Sequence, residues 1–279
     1  MVIEKEKRKL EVLPSGKFHI SFSELTTWIN CSYRYVLSYV QKLSIWRDNH
    51  YADFGTAIHK GLETFLETRS AVSVIVALNL IRFFWDIGEK YEDAVPLKTA
   101  LEQGKIIFQQ LPDFFEKNFP GWKPVAAEEF LFEEIDEEGH PHVFKGFIDC
   151  VISTPNGRKK YWILDAKTSM NGWFRDKRRD EKLHRQLVLY KHFWSQKHNI
   201  PLNEIGTAFM IFKRNGKPGA DRIELIKISV GPKTIEKHLR VLHKALTGIK
   251  KKTAYKNRSE CKFCEFANTD KCKGYVDTL

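Results

Sequence analysis

The chain of 279 residues has no apolar run long enough to cross a bilayer. Its first nine residues, Met-Val-Ile-Glu-Lys-Glu-Lys-Arg-Lys, carry no apolar core of the secretory kind, so a soluble, cytoplasmic protein is expected. It also lacks the glycine-rich loop with which ATPases cradle phosphates, so any helicase partner would be a separate chain. Nothing in it resembles a helix-turn-helix or another base-reading module, which argues against sequence-specific recognition. Acidic residues are in deficit: 35 Asp and Glu face 46 Lys and Arg, for a net charge of +11. That balance favours a polyanionic partner, most simply nucleic acid. Cysteines number five, an odd count, and three of them (Cys261, Cys264 and Cys272) lie near the end. In a reducing compartment such clustering favours metal or cluster ligation over disulfides.

Two short segments carry the chemistry. Gly146-Phe-Ile-Asp149 and Ile163-Leu-Asp165-Ala-Lys167 are apolar runs that end in a carboxylate, and the second adds a lysine two residues on. Between them, Ser153-Thr-Pro-Asn-Gly157 is a cluster of turn residues, so a β-hairpin is expected. Residues i and i+2 of a strand face the same side, which points Asp165 and Lys167 together and lets Asp149 meet them from the partner strand. Two carboxylates and a lysine are costly to bury unless a cation neutralises them. Oxygen ligands of this type suit Mg²⁺ or Mn²⁺, and a metal beside a lysine suits hydrolysis of a phosphodiester.

The remaining pattern places these segments in an α+β chain. Residues 1–19 form a charged lead-in, and residues 20–279 are expected to make one domain. Helices are expected over 21–41, capped by Ser21 or Ser23, and over 54–69, 71–93 and 97–118. From Val125 the period changes to that of strands: 127–135, a turn at 136–142, then 143–153 and 160–167. A helix over 181–196 carries Gln186 and Tyr190 on one face. Strands at 207–213 and 222–230 and an amphipathic helix at 233–249 complete the pattern. The architecture expected is a mainly helical part (20–120), a central mixed sheet (125–230) and a small cysteine-held terminus (231–279), with helices flanking the sheet.

Several of these segments resemble, in order, the elements of the RecB-type exonuclease branch of the PD-(D/E)xK nuclease superfamily. Ile20-Ser-Phe-Ser-Glu-Leu25 with Asn30-Cys31-Ser-Tyr-Arg34 is similar to its amino-terminal element, and Phe54-Gly55-Thr-Ala-Ile-His59 to its GxxxH motif. Leu164-Asp165-Ala-Lys167-Thr-Ser169 is similar to its DYKT motif, and Gln186 to Tyr190 to its QxxxY motif. Cys261-Lys-Phe-Cys264 with Cys272 is similar to its carboxy-terminal cysteine cluster. The elements span about residues 20–275.

The resemblance implies a restriction-endonuclease-like core and a metal-dependent DNA nuclease. A single-strand-preferring exonuclease of recombination, repair or replication is the first reading. A CRISPR-associated spacer-processing nuclease and a catalytically silent DNA-end-binding module are the alternatives. It implies His59, Asp149 and Asp165 as metal ligands. Lys167 would activate water or stabilise developing charge. A further acid is expected on the strand before Asp149. Glu128 and Glu129 both fit, only one can face the site, and Glu128 is preferred. Gln186 and Tyr190 would contact the site or the DNA backbone. Cys31, Cys261, Cys264 and Cys272 would hold a 4Fe–4S cluster, with zinc as the rival, whereas Cys150 is expected to be a core thiol. Arg34, Trp173, Lys177, Arg178 and Arg179 are candidate DNA contacts, the cations for phosphates and the aromatic ring for unpaired bases.

Overall fold

The computed structural model describes residues 10–45, 49–87, 94–135, 141–155 and 157–273. In chain order the elements are β1 (His19–Ser21), α1 (Phe22–Asn30), α2 (Ser32–Tyr35), α3 (His50–Thr68), α4 (Val72–Ile87), α5 (Leu97–Asn118), β2 (Lys123–Glu134), β3 (Val143–Ser153), β4 (Tyr161–Ser169), α6 (Arg175–Arg178), α7 (Glu181–His198), β5 (Ile205–Lys213), β6 (Ile223–Ile228) and α8 (Pro232–Lys250). The chain divides into two compact units. One draws on residues up to 46, on 131–146 and on 236 onward. The other is built from 47–130 and 147–235.

In the first unit, β1 runs parallel to Val143–Lys145 of β3. Ser21 caps α1 and accepts from the Glu24 N–H, while the Glu24 carboxylate accepts from the Ser21 N–H. This reciprocal pair satisfies two amides that a helix start leaves orphaned. The expected single helix over 21–41 is interrupted: Cys31 is extended, at φ −159°, and α2 and a π-helical turn over Val36–Val40 follow. Gly248 of α8 lies under Trp28, where a Cβ would come within 2.2 Å of the indole.

In the second unit, α3 starts four residues earlier than the sequence suggested. Asn49 supplies the cap, accepting from the N–H groups of Tyr51 and Ala52. The helix expected at 71–93 is described as α4 up to Ile87; residues 88–93 of that expectation lie outside the described residues, as do 136–140 of the expected turn. Strand β3 pairs antiparallel with β4, β4 parallel with β5, and β5 antiparallel with β6, while β2 pairs with β3. The sheet is therefore mixed, with helices on it, as the α+β reading requires. Strand β5 is buried through Phe212, which is why it reads as an unbroken apolar run and not as an alternation.

The two sheet faces are distinct. Cys150, Ile152, Leu164, Ala166, Ala208 and Met210 pack into the core formed by α3, α4 and α5. Each fully buried large apolar side chain contributes about 2 kcal/mol to that core. Residues of the opposite parity meet α7 and the segment before it: Tyr161 packs on Trp194, and Phe209 on Trp173 and His184. Two glycines let α3 approach its neighbours. A Cβ at Gly61 would lie 2.2 Å from Phe108 Cζ, and one at Gly55 would lie 3.3 Å from Thr168 Oγ1 on β4.

Candidate active site

The hairpin of β3 and β4 forms as the turn residues predict, and its ladder runs from Ser153↔Tyr161 to Cys150↔Leu164. One step further along come Asp149 and Asp165. There the Asp149 carboxylate accepts the Ala166 N–H at 2.6 Å. A side chain thus takes up an amide at the point where the two acids begin. The basic turn at 158–160 lies at the other end of this hairpin, four strand residues or about 13 Å from the acids. Lys159 and Lys160 are engaged there by the Asn203 carbonyl and Glu204.

Around Asp149 the structure gathers a donor set from three elements. His59 comes from α3, and Glu128 from β2. One ligand atom from each of His59, Glu128 and Asp149 lies within 4.8 Å of the others. His59 Nδ1 stands 3.5 Å from Asp149 Oδ1. Gly55, one turn before His59, permits the close approach of α3 to β4 that brings the imidazole here. Glu128 arrives by an unusual route, since its backbone is left-handed at φ +47°. That conformation costs a residue with a Cβ about 1 kcal/mol or more. Nothing in the residue types around Glu128 announces it.

Asp165 and Lys167 form the adjacent half. Asp165 is wholly buried, and Lys167 Nζ lies 2.5 Å from its Oδ2 while remaining one-third exposed. No hydrogen-bond donor reaches Asp165 Oδ1 among the described residues. Asp165 was expected to join Asp149 and His59 on one metal. Its carboxylate pairs with Lys167 in this structure, and the residues with ligand atoms within 4.8 Å of one another are His59, Glu128 and Asp149. The cause is the parting of β3 and β4 just beyond Cys150↔Leu164, combined with an ammonium two residues along the same face.

The electrostatics follow from burial in competition with these neighbours. Burial pushes the Asp165 carboxyl up to about 6, and Lys167 only partly opposes it. Burial also raises Asp149, but hydrogen bonding and charge from His59, with Lys167, outweigh it and hold the carboxyl below its usual range. Burial lowers His59, yet Asp149 wins and its imidazole is raised. Lys167 is raised because Asp165 and Asp149 outweigh its desolvation. Glu128 is raised by burial and then by the charge of Asp149. Two acids that resist ionisation, Asp165 and Glu128, beside one held ionised, Asp149, form a carboxylate group of the kind that a cation neutralises. Carboxylates with one imidazole suit a hard divalent metal.

On α7, Gln186 Nε2 donates to the Tyr190 hydroxyl at 3.1 Å. Tyr190 is buried, and its phenol is raised by burial and by the charge of Asp165. Glu129, the alternative to Glu128, points to α7: Trp194 Nε1 donates to it at 2.6 Å and Lys197 Nζ at 3.0 Å.

The candidate nucleic-acid contacts fare unevenly. Trp173 is only 4% exposed, packs on Phe209 at 4.9 Å and lies under Lys177, so it cannot offer a face to a base. The exposed ring of that segment is Phe174, at 78%. Arg178 donates to the Trp173 carbonyl and pairs with Glu224 at 2.5 Å. Lys177 and Arg179 are exposed. In the other unit, Arg34 pairs with Glu265 at 2.6 Å. It lines a cavity that it shares with Cys31, Cys261, Cys264 and Cys272. No three of these sulfurs come within 4.8 Å of one another. Burial raises the thiols of Cys261 and Cys264. Cys150 sits in the core, its thiol raised well above the usual value by burial.

Comparison with known proteins bears on these features. The model of the PD-(D/E)XK nuclease superfamily matches residues 19–269. That span covers the two acids, the lysine, His59 and three of the four cysteines Cys31, Cys261, Cys264 and Cys272, and the chain belongs to this superfamily. No curated protein matches it. Among solved structures, the crystal structure of SSO0001 aligns over 91% of this chain and 97% of that one, at 15% identity and a TM-score of 0.39. Among the described residues, no helix is long and apolar enough to cross a membrane.

Proposed function

We propose that the protein is a Mg²⁺- or Mn²⁺-dependent deoxyribonuclease of RecB type that removes nucleotides from single-stranded ends during recombination, repair or replication. Superfamily membership supports a metal-dependent nuclease with DNA as its substrate. The observation that carries the reading is the joint placement of His59, Glu128 and Asp149 at ligand spacing, beside a buried Asp165–Lys167 pair.

A divalent cation held by Asp149, His59 and Glu128, with Asp165 alongside, supplies Lewis acidity to the phosphate and acidifies water. The residues of the chain do the rest. Lys167 presents its ammonium beside these carboxylates, where it stabilises charge that builds on the phosphate oxygens. Tyr190, kept protonated, and Gln186 offer a phenol and an amide that position a phosphate or a carboxylate. The exposed Phe174, followed by Arg175, Lys177 and Arg179, lies five residues beyond the end of β4. A ring among cations suits an unpaired strand: the base stacks and the cations take the phosphates.

The four cysteines of the other unit are proposed to hold a 4Fe–4S cluster that staples Cys31 to the last segment. All four line one cavity, an arrangement in keeping with a shared metal group, and zinc is the rival occupant. Amide donation from Asn257 to Cys31 Sγ, at 3.5 Å, is of the kind that tunes such clusters.

The test is to incubate anaerobically purified protein with end-labelled single-stranded and duplex DNA, with Mg²⁺, Mn²⁺ or EDTA, beside Asp165→Ala. Metal-dependent shortening of single strands, absent in the variant, is the expected result. Intact DNA in every lane with binding retained would replace this reading with that of a DNA-end-binding module.

A further inference from the structure

Glu129 lies outside the metal group, yet it is tied down from three directions. Its carboxylate accepts from Trp194 Nε1 at 2.6 Å and from Lys197 Nζ at 3.0 Å, and His198 Nε2 lies 2.5 Å away. Lys197 also donates to the carbonyl of Phe130, the next residue, at 2.8 Å. All three partners come from the last turns of α7. Burial opposes ionisation of Glu129, and these hydrogen bonds more than offset it.

Next to this anchor the strand breaks its own rule. Residues two apart in a regular strand face the same side. Ala127 packs against the core under α3, α4 and α5, while Glu129 turns to α7 on the other face. The left-handed backbone of Glu128 inserts this reversal, and it also carries the Glu128 carboxylate to His59 and Asp149. If residue 128 relaxed to extended backbone, the alternation would return. Glu129 would then leave Trp194, Lys197 and His198, and Glu128 would swing away from the metal group.

We propose that Glu129 is a positioning residue for the metal centre: its bonds to α7 hold the reversed strand at Glu128, and that reversal delivers the Glu128 carboxylate as a ligand. The inference rests on the metal-centre reading above. Glu129 touches neither cation nor substrate, and acts only through Glu128. Partners that orient a ligand in this way typically change metal affinity 10- to 100-fold when removed.

The experiment measures Mn²⁺ affinity by the paramagnetic resonance of free Mn²⁺, without DNA, for wild type, Glu129→Ala, Glu128→Ala and the double variant. Thermal melting of each is followed alongside. Glu129→Ala is expected to weaken Mn²⁺ binding about 10- to 100-fold. In the Glu128→Ala background the same change is expected to add less than about twofold, since the ligand it positions is already gone. Should Glu129→Ala fail to fold, Trp194→Phe removes one bond at 2.6 Å and is expected to weaken Mn²⁺ binding severalfold. Unchanged affinity in a folded Glu129→Ala or Trp194→Phe variant overturns the inference, as does an undiminished effect in the Glu128→Ala background. Wild-type protein that binds no Mn²⁺ overturns the metal-centre reading itself, which keeps the two failures apart.

Discussion

Replacing Lys167 by Met tests the electrostatics of the site in the absence of metal. The change keeps the apolar stem and removes the ammonium that lies 2.5 Å from Asp165 Oδ2. Asp165 is left wholly buried with no nearby cation on its own strand face. Breaking a fully buried ion pair costs about 3–5 kcal/mol, because one charge stays desolvated. Lys167 is one-third exposed and partly screened, which reduces the expected loss to about 1–3 kcal/mol. At roughly 2–4 °C per kcal/mol for a chain of this size, melting should fall by about 2–12 °C at pH 8.

The dependence on pH carries the diagnostic weight. The folded Asp165 carboxyl sits at about 6, above its ordinary 3.8. Its ionisation therefore costs stability progressively as pH rises from about 4 through 6, and Lys167 limits that cost. Without Lys167 the folded value climbs further and the cost deepens. At pH 5 Asp165 is largely neutral in both proteins and only the ionised Asp149 still feels the loss, so the variant should melt closer to wild type than at pH 8. Scanning fluorimetry at pH 5 and pH 8, in EDTA, measures the difference. An equal fall at both values, or a larger one at pH 5, refutes the reasoning.

Three further outcomes are expected. Mn²⁺ should raise the melting temperature little at pH 5 and increasingly through pH 6 to 8, because Asp165 at about 6 and the raised His59 must both lose protons to accept the cation. In metal-free protein the stability that His59 gains from Asp149 is present below its ordinary 6.5 and is lost as pH rises through the raised folded value; a Mn²⁺ effect independent of pH would contradict both statements. Gly61→Ala should destabilise by up to about 2 kcal/mol, since overpacking against Phe108 and Ala77 costs about 1–3 kcal/mol and the gain in helix propensity returns only about 1. A urea midpoint at or above wild type would show that α3 and α5 can separate freely. Cys31→Ala and Cys264→Ala should each lose visible absorbance and melt earlier, whereas normal melting would remove the case for a structural staple.

Much of the site is legible in one dimension because its parts are short and local. Asp165 and Lys167 share a strand face by period, and the cluster of turn residues after Ser153 brings β3 back beside β4. Gly55 and His59 lie one helical turn apart, and a Cβ at Gly55 would sit tightly, 3.3 Å from Thr168 Oγ1. The acid–lysine pattern, the cysteines and the order of the segments were enough to indicate the superfamily that the family model then showed.

Other features depend on contacts that have no local signature. Trp173 and Phe174 are adjacent aromatics in a basic segment, and only packing on Phe209 decides which is buried and which is exposed. The cap at Asn49 and the break at Cys31 moved helix boundaries, because cap geometry is set by the whole turn and not by the apolar stripe.

The sequence by itself determined the α+β pattern, the hairpin that carries the two acids, and the kinds of atoms available to a cation. Each depends on residue type and spacing within a few residues. Tertiary structure alone decided that Asp165 pairs with Lys167 while Glu128 stands with His59 and Asp149. That choice turns on a left-handed residue sustained by a helix some 65 residues further along the chain, and on where two strands part. Long-range packing can hold a backbone away from its local preference, and no short-range pattern records it.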